Sequence, residues 1–276
     1  MICFPNAKIN LGLNVTEKRT DGFHNIETVF YPIGWNDALE IIETTNFSSD
    51  FNLQLSGIPI HGNIEDNLLY KAYQLIKKIK TLPSIQVHLH KALPMGAGLG
   101  GGSADAAFFI NLLNEQFTLH LSESERIEIA KKLGSDCAFF ITNKPVFAYD
   151  KGDVFKSIDL DLSYYYIAIV YPNIHSNTKE AYSLVKPIAP KHSILDVIKQ
   201  PIQTWKTDLI NDFEISIVYK YPIVQKIKQD LYDCGALYAS MSGSGSAVFG
   251  LFDHYPTINK LSNLPNWIGK MNQPNT

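Results

Sequence analysis

Between positions 94 and 107 the chain reads Pro94-Met95-Gly96-Ala97-Gly98-Leu99-Gly100-Gly101-Gly102-Ser103-Ala104-Asp105-Ala106-Ala107. Glycines at this density let backbone approach an anion with no Cβ in the way. A β-like segment, Ile85 to Leu89, precedes the run, and a helical apolar pattern follows it. Ser103 is read as the residue that caps that helix. Free N–H groups at a helix start, with the positive end of its dipole, stabilise phosphate oxygens. An ordinary turn needs only one or two glycines. The run therefore reads as a phosphate cradle.

The kind of cradle is narrowed but not fixed by the loop. No Gly-Lys-Ser or Gly-Lys-Thr occurs in the chain, which excludes a Walker A loop. Gly96, Gly98 and Gly101 satisfy the dinucleotide pattern G-x-G-x-x-G. The acidic residue such folds place about 20 positions on is not convincingly present. Asn114-Glu115-Gln116 reads instead as the end of the helix.

Three other segments carry side chains suited to chemistry. Pro5-Asn6-Ala7-Lys8-Ile9-Asn10-Leu11-Gly12-Leu13-Asn14-Val15 alternates, so Lys8 and Asn10 project from the same face of a strand. Taken alone, that lysine reads as solvated. Asp21-Gly22-Phe23-His24-Asn25-Ile26-Glu27-Thr28 is a turn feeding a second strand. Met241-Ser242-Gly243-Ser244-Gly245-Ser246-Ala247-Val248-Phe249 is a further glycine-rich turn between apolar strands. Asp136, in Leu133-Gly134-Ser135-Asp136-Cys137-Ala138, reads by itself as a cap just beyond a helix end.

The elements that must position these groups are legible in outline. Asp66 is expected to cap a helix carrying Leu69, Ala72, Tyr73, Ile76 and Ile79 at helical spacing. The glycine run leads into a helix with Ala106, Ala107, Ile110 and Leu113. Ser122 with Glu125 makes a capping box for the next helix, which buries Ile127, Ala130 and Leu133 and stops at Gly134. A second half begins near Lys151-Gly152-Asp153, with a strand from Tyr166 to Val170. Pro222 opens a helix bearing Val224, Ile227 and Leu231 that ends at Gly235. The pattern is α+β, with no internal repeat or long linker.

In this order the four motifs P-N-A-K-I-N-L-G-L, D-G-F-H-N-I-E-T, P-M-G-A-G-L-G-G-G-S and M-S-G-S-G-S-A-V-F resemble the GHMP kinase superfamily of small-molecule kinases. The resemblance spans nearly the whole chain. Its long glycine run and Asp-Gly-aromatic-His segment match the branch that handles cytidine diphosphate methylerythritol on the non-mevalonate route to isoprenoid precursors. That implies an α+β chain of two domains. Residues 1–152 would form a ribosomal-protein-S5-like ATP-binding catalytic domain, and residues 153–276 a ferredoxin-like substrate-binding domain. The implied cofactors are ATP and Mg²⁺, and the implied reaction is phosphorylation of the acceptor's 2-hydroxyl.

The same resemblance distributes roles. Lys8 and Asp136 become the catalytic pair, with Asp136 facing the acceptor hydroxyl. Its flanks depart from the family, with Ser135 for alanine and Cys137-Ala138 where a proline often follows. Pro94, Met95, Gly96, Ala97, Gly98, Leu99, Gly100, Gly101, Gly102 and Ser103 hold the nucleotide phosphates, and Ser103 also touches Mg²⁺. The second serine common in the family is Ala104 here. Asn67 and Lys91 lie where the family approaches adenine. Phe23 stacks on cytosine, replacing a frequent tyrosine, His24 reads its polar edge, and Tyr182 covers its other face. Asn10 and Thr178 contact the methylerythritol or its diphosphate. The loop Ser242 to Ser246 braces the cradle. Another superfamily kinase with a different alcohol acceptor is the nearest alternative; Phe23-His24 argues against it, since such a site has no base to stack.

Composition agrees. At 276 residues and 45% hydrophobic the chain can bury a substantial core. A formal net charge of −3 argues against nucleic acid or an anionic membrane surface as partner. Lys77, Lys78 and Lys80 read as the solvated face of a helix. Three cysteines without a C-x-x-C fit a reducing compartment. No basic-then-apolar leader opens the sequence, and the longest apolar run, Tyr164 to Tyr171, is too short to span a bilayer. The expectation is a cytoplasmic enzyme acting on a small molecule as a monomer or weak homodimer.

Overall fold

The structure is a computed structural model that describes residues 1–45 and 49–271. In chain order the strands are β1 (Ile2–Cys3), β2 (Asn6–Lys18), β3 (His24–Asn36), β4 (Ala38–Glu43), β5 (Phe51–Gly57), β6 (Ile85–Lys91), β7 (Val146–Tyr149), β8 (Val154–Ser157), β9 (Tyr166–Val170), β10 (Tyr238–Met241), β11 (Val248–Phe252) and β12 (Asn266–Lys270). The helices are α1 (Leu68–Lys77), α2 (Gly101–Gln116), α3 (Glu123–Lys131), α4 (Ser135–Thr142), α5 (Thr178–Ala181), α6 (Ile194–Val197), α7 (Trp205–Asp208), α8 (Glu214–Lys220) and α9 (Ile223–Asp233). They fall into two compact units, each discontinuous in sequence.

The first unit comprises Met1–Ala7, Asn36–Met95 and Gly100–Asn143. Its sheet has the order β1-β4-β6-β5, with β5 parallel to β6 and the other pairs antiparallel. Alternation along β6 sends Ile85, Val87, Leu89 and Lys91 to the buried side. Leu39 and Ile41 of β4 stand opposite Leu89 and Val87. Helix α2 packs against α1 and α4, with Ala106, Ala107, Ile110 and Leu113 buried as their spacing predicts.

Several boundaries differ from the sequence reading, each for a local reason. Asn67, not Asp66, caps α1: its backbone is extended and its side-chain oxygen accepts the Leu69 N–H at 2.9 Å. Asp66 instead closes a short 3-10 turn. Leu69, Ala72, Tyr73 and Ile76 are buried, whereas Ile79 lies past the helix end and is exposed. Gly100, left-handed at φ 74°, stands at the N-cap of α2, so Ser103 sits within the first turn and caps nothing. Helix α3 ends at Lys131 and buries Ile129 and Ala130, while Ile127 and Leu133 are half-buried. Gly134 is extended at the N-cap of α4, and its N–H donates to the Ala130 carbonyl at 3.3 Å where the last turn of α3 closes.

The capping box at α3 forms as expected. Ser122 Oγ accepts the Glu125 N–H at 3.3 Å and the Glu125 carboxylate accepts the Ser122 N–H at 2.8 Å. Ser122→Ala is therefore expected to cost about 1 kcal/mol of stability. A lowered urea midpoint with unchanged slope would register it; an unmoved midpoint would mean that other contacts hold the start of α3.

The second unit comprises Lys8–Trp35, Gly96–Leu99 and the chain from Lys144 onward. It contains the sheets β2-β3-β7-β8 and β10-β11-β9-β12. In the latter, β9 pairs antiparallel with both β11 and β12. Phe213, Ile217, Val224, Ile227 and Leu231 from the α8–α9 region close over Ala168, Val170, Met241 and Val248 in one apolar cluster. The strand Tyr166–Val170 and the helix after Pro222 stand where the sequence places them. Among the described residues no helix is long and apolar enough to cross a membrane.

Candidate functional site

In the first unit, the chain that leaves β6 ahead of the glycine run is held by a buried ionic cluster. Lys91 ends the apolar face of β6, so its ammonium enters the core and is only 1% exposed. A buried charge is costly unless paired. Here Lys91 Nζ meets the carboxylates of Asp37 and of Asp105, the latter at 2.8 Å. The other Asp37 oxygen accepts the N–H groups of Ala92 and Leu93 at 2.6 and 2.8 Å. One carboxylate thus fixes the chain just before Pro94, and one lysine ties it to α2. Burial raises the Asp105 carboxyl to about 7, with the Lys91 charge pulling the other way.

Gly96, Gly98 and Gly100 all take positive φ, at 63°, 78° and 74°. This alternation is open to glycine and strained for other residues. Gly101, in contrast, is already helical; a Cβ there would meet Lys91 Nζ at 3.0 Å and Leu93 at 3.2 Å. In the first turn of α2, Ser103 is hydrogen-bonded to the Cys137 thiol of α4, which burial pushes up to about 11. Asp136 stands beside it in the first turn of α4, not beyond a helix end. A carboxylate there is favourably placed toward the helix dipole. The far end of α4 is held by paired side-chain amides, Asn143 Nδ2 donating to Asn6 Oδ1 at 2.7 Å.

A cavity of about 320 Å³ also lies within this unit. Leu53, Leu55, Ile60, Leu69 and Leu89 wall it, and Asn67, Met95, Gly102 and Asp105 reach it. Two residues expected at adenine and at the phosphates, Asn67 and Met95, therefore share one concavity. Lys91, the other residue expected near adenine, has its ammonium engaged by the two carboxylates.

In the second unit, Lys8 is 2% exposed rather than solvated. Its Nζ donates to Asn10 Oδ1 at 2.5 Å and lies 4.7 Å from the Phe30 ring centre. Asn10 Nδ2 donates to Thr28 Oγ1 at 3.0 Å, and that hydroxyl donates to the Gly12 carbonyl at 2.5 Å. Asn10, expected to contact substrate, thus holds Lys8 with one end and Thr28 with the other. The brace expected of the third glycine motif is present. Ser242 Oγ donates to the Gly98 carbonyl at 2.9 Å, and the Ala247 N–H to the Ala97 carbonyl at 3.1 Å.

The aromatic residues expected at the base are placed as follows. Tyr182 stacks on His24, with centroids 4.4 Å apart and an 18° interplanar angle, and meets Phe213 edge-on. Phe23 is 61% exposed, with Lys151 Nζ 5.5 Å from its ring centre. Burial, then Lys18, holds the His24 imidazole below its ordinary pKa, which favours the neutral ring. Thr178 opens α5 and is exposed.

Sequence reasoning missed Asp37, Asp105, Thr28 and Asn211. Asn211 Nδ2 donates to the carbonyls of Met241 and Gly243 at 2.8 and 2.9 Å, holding the brace itself. A signal existed for Asp105 alone: an acid on the inner face of an Ala-rich helix, four residues after its first glycine.

Comparison with known proteins follows the same lines. Residues 67–144 match the family described as "GHMP kinases N terminal domain", and residues 203–263 match "GHMP kinases C terminal". A Bacteroides fragilis protein named 4-diphosphocytidyl-2-C-methyl-D-erythritol kinase is 52% identical over 95% of each chain. One of the same name from Cytophaga hutchinsonii is 51% identical over 93% of this chain and 94% of its own. The crystal structure of a 4-(cytidine 5'-diphospho)-2C-methyl-D-erythritol kinase superposes with a TM-score of 0.83, covering 98% of both chains at 26% identity. The Methanococcus jannaschii mevalonate kinase shares the fold, with a TM-score of 0.72 at 16% identity and coverage of 99% and 98%. With its glycine run, the brace behind it and relatives at this identity over nearly its whole length, the chain belongs to the GHMP kinase family.

Proposed function

We propose that this protein transfers the γ-phosphoryl group of ATP to the 2-hydroxyl of 4-diphosphocytidyl-2-C-methyl-D-erythritol. The observation that carries the donor side is the run of left-handed glycines leading from a braced loop into the N-terminus of α2. Such N–H groups suit phosphate oxygens. The acceptor is the one named for relatives 52% and 51% identical over nearly the full chain. In this reading residues 1–152 serve ATP and catalysis and residues 153–276 serve the acceptor, joined by Phe23 and His24 from β3 and its turn. The enzyme works in the cytoplasm as a monomer or weak homodimer, without nucleic acid or membrane.

In the transfer, the acceptor oxygen forms a bond to the γ-phosphorus as the bond to the bridging oxygen breaks, and ADP leaves with that electron pair. Asp136 accepts the hydroxyl proton. The Lys8 ammonium, held by Asn10, offsets negative charge on the transferred group. Among the described residues no cluster of three or more His, Cys, Asp or Glu could hold a metal. The hard hydroxyl oxygen of Ser103 in the first turn of α2 fits Mg²⁺, which is commonly held by few protein oxygens and by substrate phosphates. Bound Mg²⁺ would neutralise phosphate charge there. Transition states of this kind are loose, so positioning supplies much of the catalysis.

Release of ADP, followed with the cytidine acceptor, mevalonate, homoserine and galactose, tests the reading; turnover confined to the cytidine compound is expected. Stacking on an aromatic ring contributes about 1–3 kcal/mol per base and tolerates any base. Tyr182→Ala and Phe23→Ala should therefore weaken the acceptor with little change in its preference over the uridine analogue. His24→Ala should erode that preference, because unmatched buried polar groups reject the wrong base. A preference left intact by His24→Ala would move base reading elsewhere.

A further inference from the structure

In the second unit, the turn that carries Phe23 is held by one guanidinium. Arg19 Nε donates to Asp21 Oδ2 at 3.1 Å, and its Nη1 donates to Asn25 Oδ1 at 2.8 Å and to the Asp150 carboxylate. The other Asp21 oxygen accepts the Phe23 N–H at 3.0 Å, and the Arg19 N–H donates to the Phe23 carbonyl at 2.9 Å. Both backbone polar groups of Phe23 are thereby fixed, while the residue stays 61% exposed. So exposed a tip gains little from packing, and its geometry rests on these bonds.

Asp150 comes from the turn between β7 and β8. Its φ of +59° is left-handed, a conformation that glycine takes without strain. Its carbonyl accepts the Ile26 N–H at 2.7 Å, so this turn is tied to β3 through backbone alone. That bond needs no side chain at position 150. What aspartate adds over glycine is a carboxylate, and the carboxylate meets Arg19. Lys151, next along the chain, has its ammonium 5.5 Å from the Phe23 ring centre.

We propose that Arg19 and Asp150 are positioning residues for the acceptor, their ion pair holding the Phe23 ring in the orientation that receives the base. The inference rests on the acceptor reading above and adds residues that act through Phe23. With side chains 30% and 39% exposed, such a pair contributes little to stability. Its loss should therefore appear in acceptor binding and not in the folded fraction. A ring oriented before binding lowers the ordering cost that binding carries.

Steady-state kinetics with the cytidine acceptor and ATP test this, beside melting curves. Asp150→Gly removes the carboxylate and relieves the left-handed backbone, so it should melt no lower than the wild type. Its KM for the acceptor should rise by about three- to fivefold, with kcat and the KM for ATP unchanged. Arg19→Ala frees Asp21 and Asn25 as well and should raise that KM by at least about tenfold. Adding Asp150→Gly to Arg19→Ala should change nothing further, because the two residues share one interaction. Arg19→Lys keeps the charge without the planar fork and should recover only part of the loss. In a Phe23→Ala background, Asp150→Gly should lose most of its effect. Unchanged acceptor KM in folded Asp150→Gly and Arg19→Ala would overturn the proposal. So would equal losses for acceptor and ATP, or a fall in kcat alone, either of which marks a structural role. A full Asp150→Gly effect without the Phe23 ring would overturn it too. Wild-type protein that turns over no cytidine acceptor would remove the kinase reading and this inference together; active wild type matched by its variants removes this inference alone.

Discussion

Asp136→Asn is expected to lower turnover by about two orders of magnitude or more while leaving ATP affinity nearly unchanged. The substitution keeps the size and shape of the side chain, turns one acceptor oxygen into an amide NH2 and removes the charge that takes up a proton. Asp136 occupies the first turn of α4, a helix whose other end is fixed by Asn143 and Asn6. The loss should therefore fall on chemistry rather than on folding. Lys8→Met should act similarly on turnover, although it also strips Asn10 Oδ1 of its donor at 2.5 Å and needs a melting curve beside the kinetics. Phosphoryl transfer depends heavily on orientation, so some of each effect reflects a misplaced acceptor. Near-normal turnover in both variants would remove these residues from the catalytic role.

Gly98→Ala is expected to weaken ATP binding by well over tenfold in a protein that still folds. The φ of +78° already disfavours alanine by about 1–2 kcal/mol. A Cβ there would also stand 2.0 Å from the Ser242 carbonyl oxygen and 3.1 Å from the Gly245 nitrogen, both backbone atoms of the brace. Loop and brace cannot both keep their positions, so the N–H groups that would face phosphate are displaced. Gly101→Val, which the G-x-G-x-x-G pattern would single out, acts by another route. Its φ is not left-handed, and its side chain would crowd Lys91 and Leu93 rather than the ligand. Calorimetry with ATP on folded Gly98→Ala decides the point; unchanged affinity would place the phosphates elsewhere.

Local patterns with a strict geometric cause were readable directly. The capping box of Ser122 and Glu125, the strand Tyr166–Val170 and the helix after Pro222 each depend on neighbours in sequence, and each formed where expected. The glycine run was legible because backbone at left-handed φ excludes most other residues. Helix ends were less legible. Asp66 and Asn67 are both good caps by type, and only the extended backbone at Asn67 chose between them. Ser103 lost the N-cap because glycine at position 100 could turn left-handed and start the helix earlier.

By itself, then, the sequence determined the α+β character, the glycine loop, and through its four motifs the family and the residues worth testing. Tertiary structure decided what those side chains touch. Lys8 looked solvated from alternation alone, yet both faces of β2 are covered and Asn10 and Thr28 take up its charge and that charge's partner. Tyr182 stacks on His24 because the end of α5 and the start of β3, more than 150 residues apart, bring those two rings together. Asp37, Lys91 and Asp105 come from three separate elements, so no spacing rule could join them. A periodicity reports which face a residue occupies; which partner waits on that face is set by long-range packing, and a buried charge has meaning only once its partner is known.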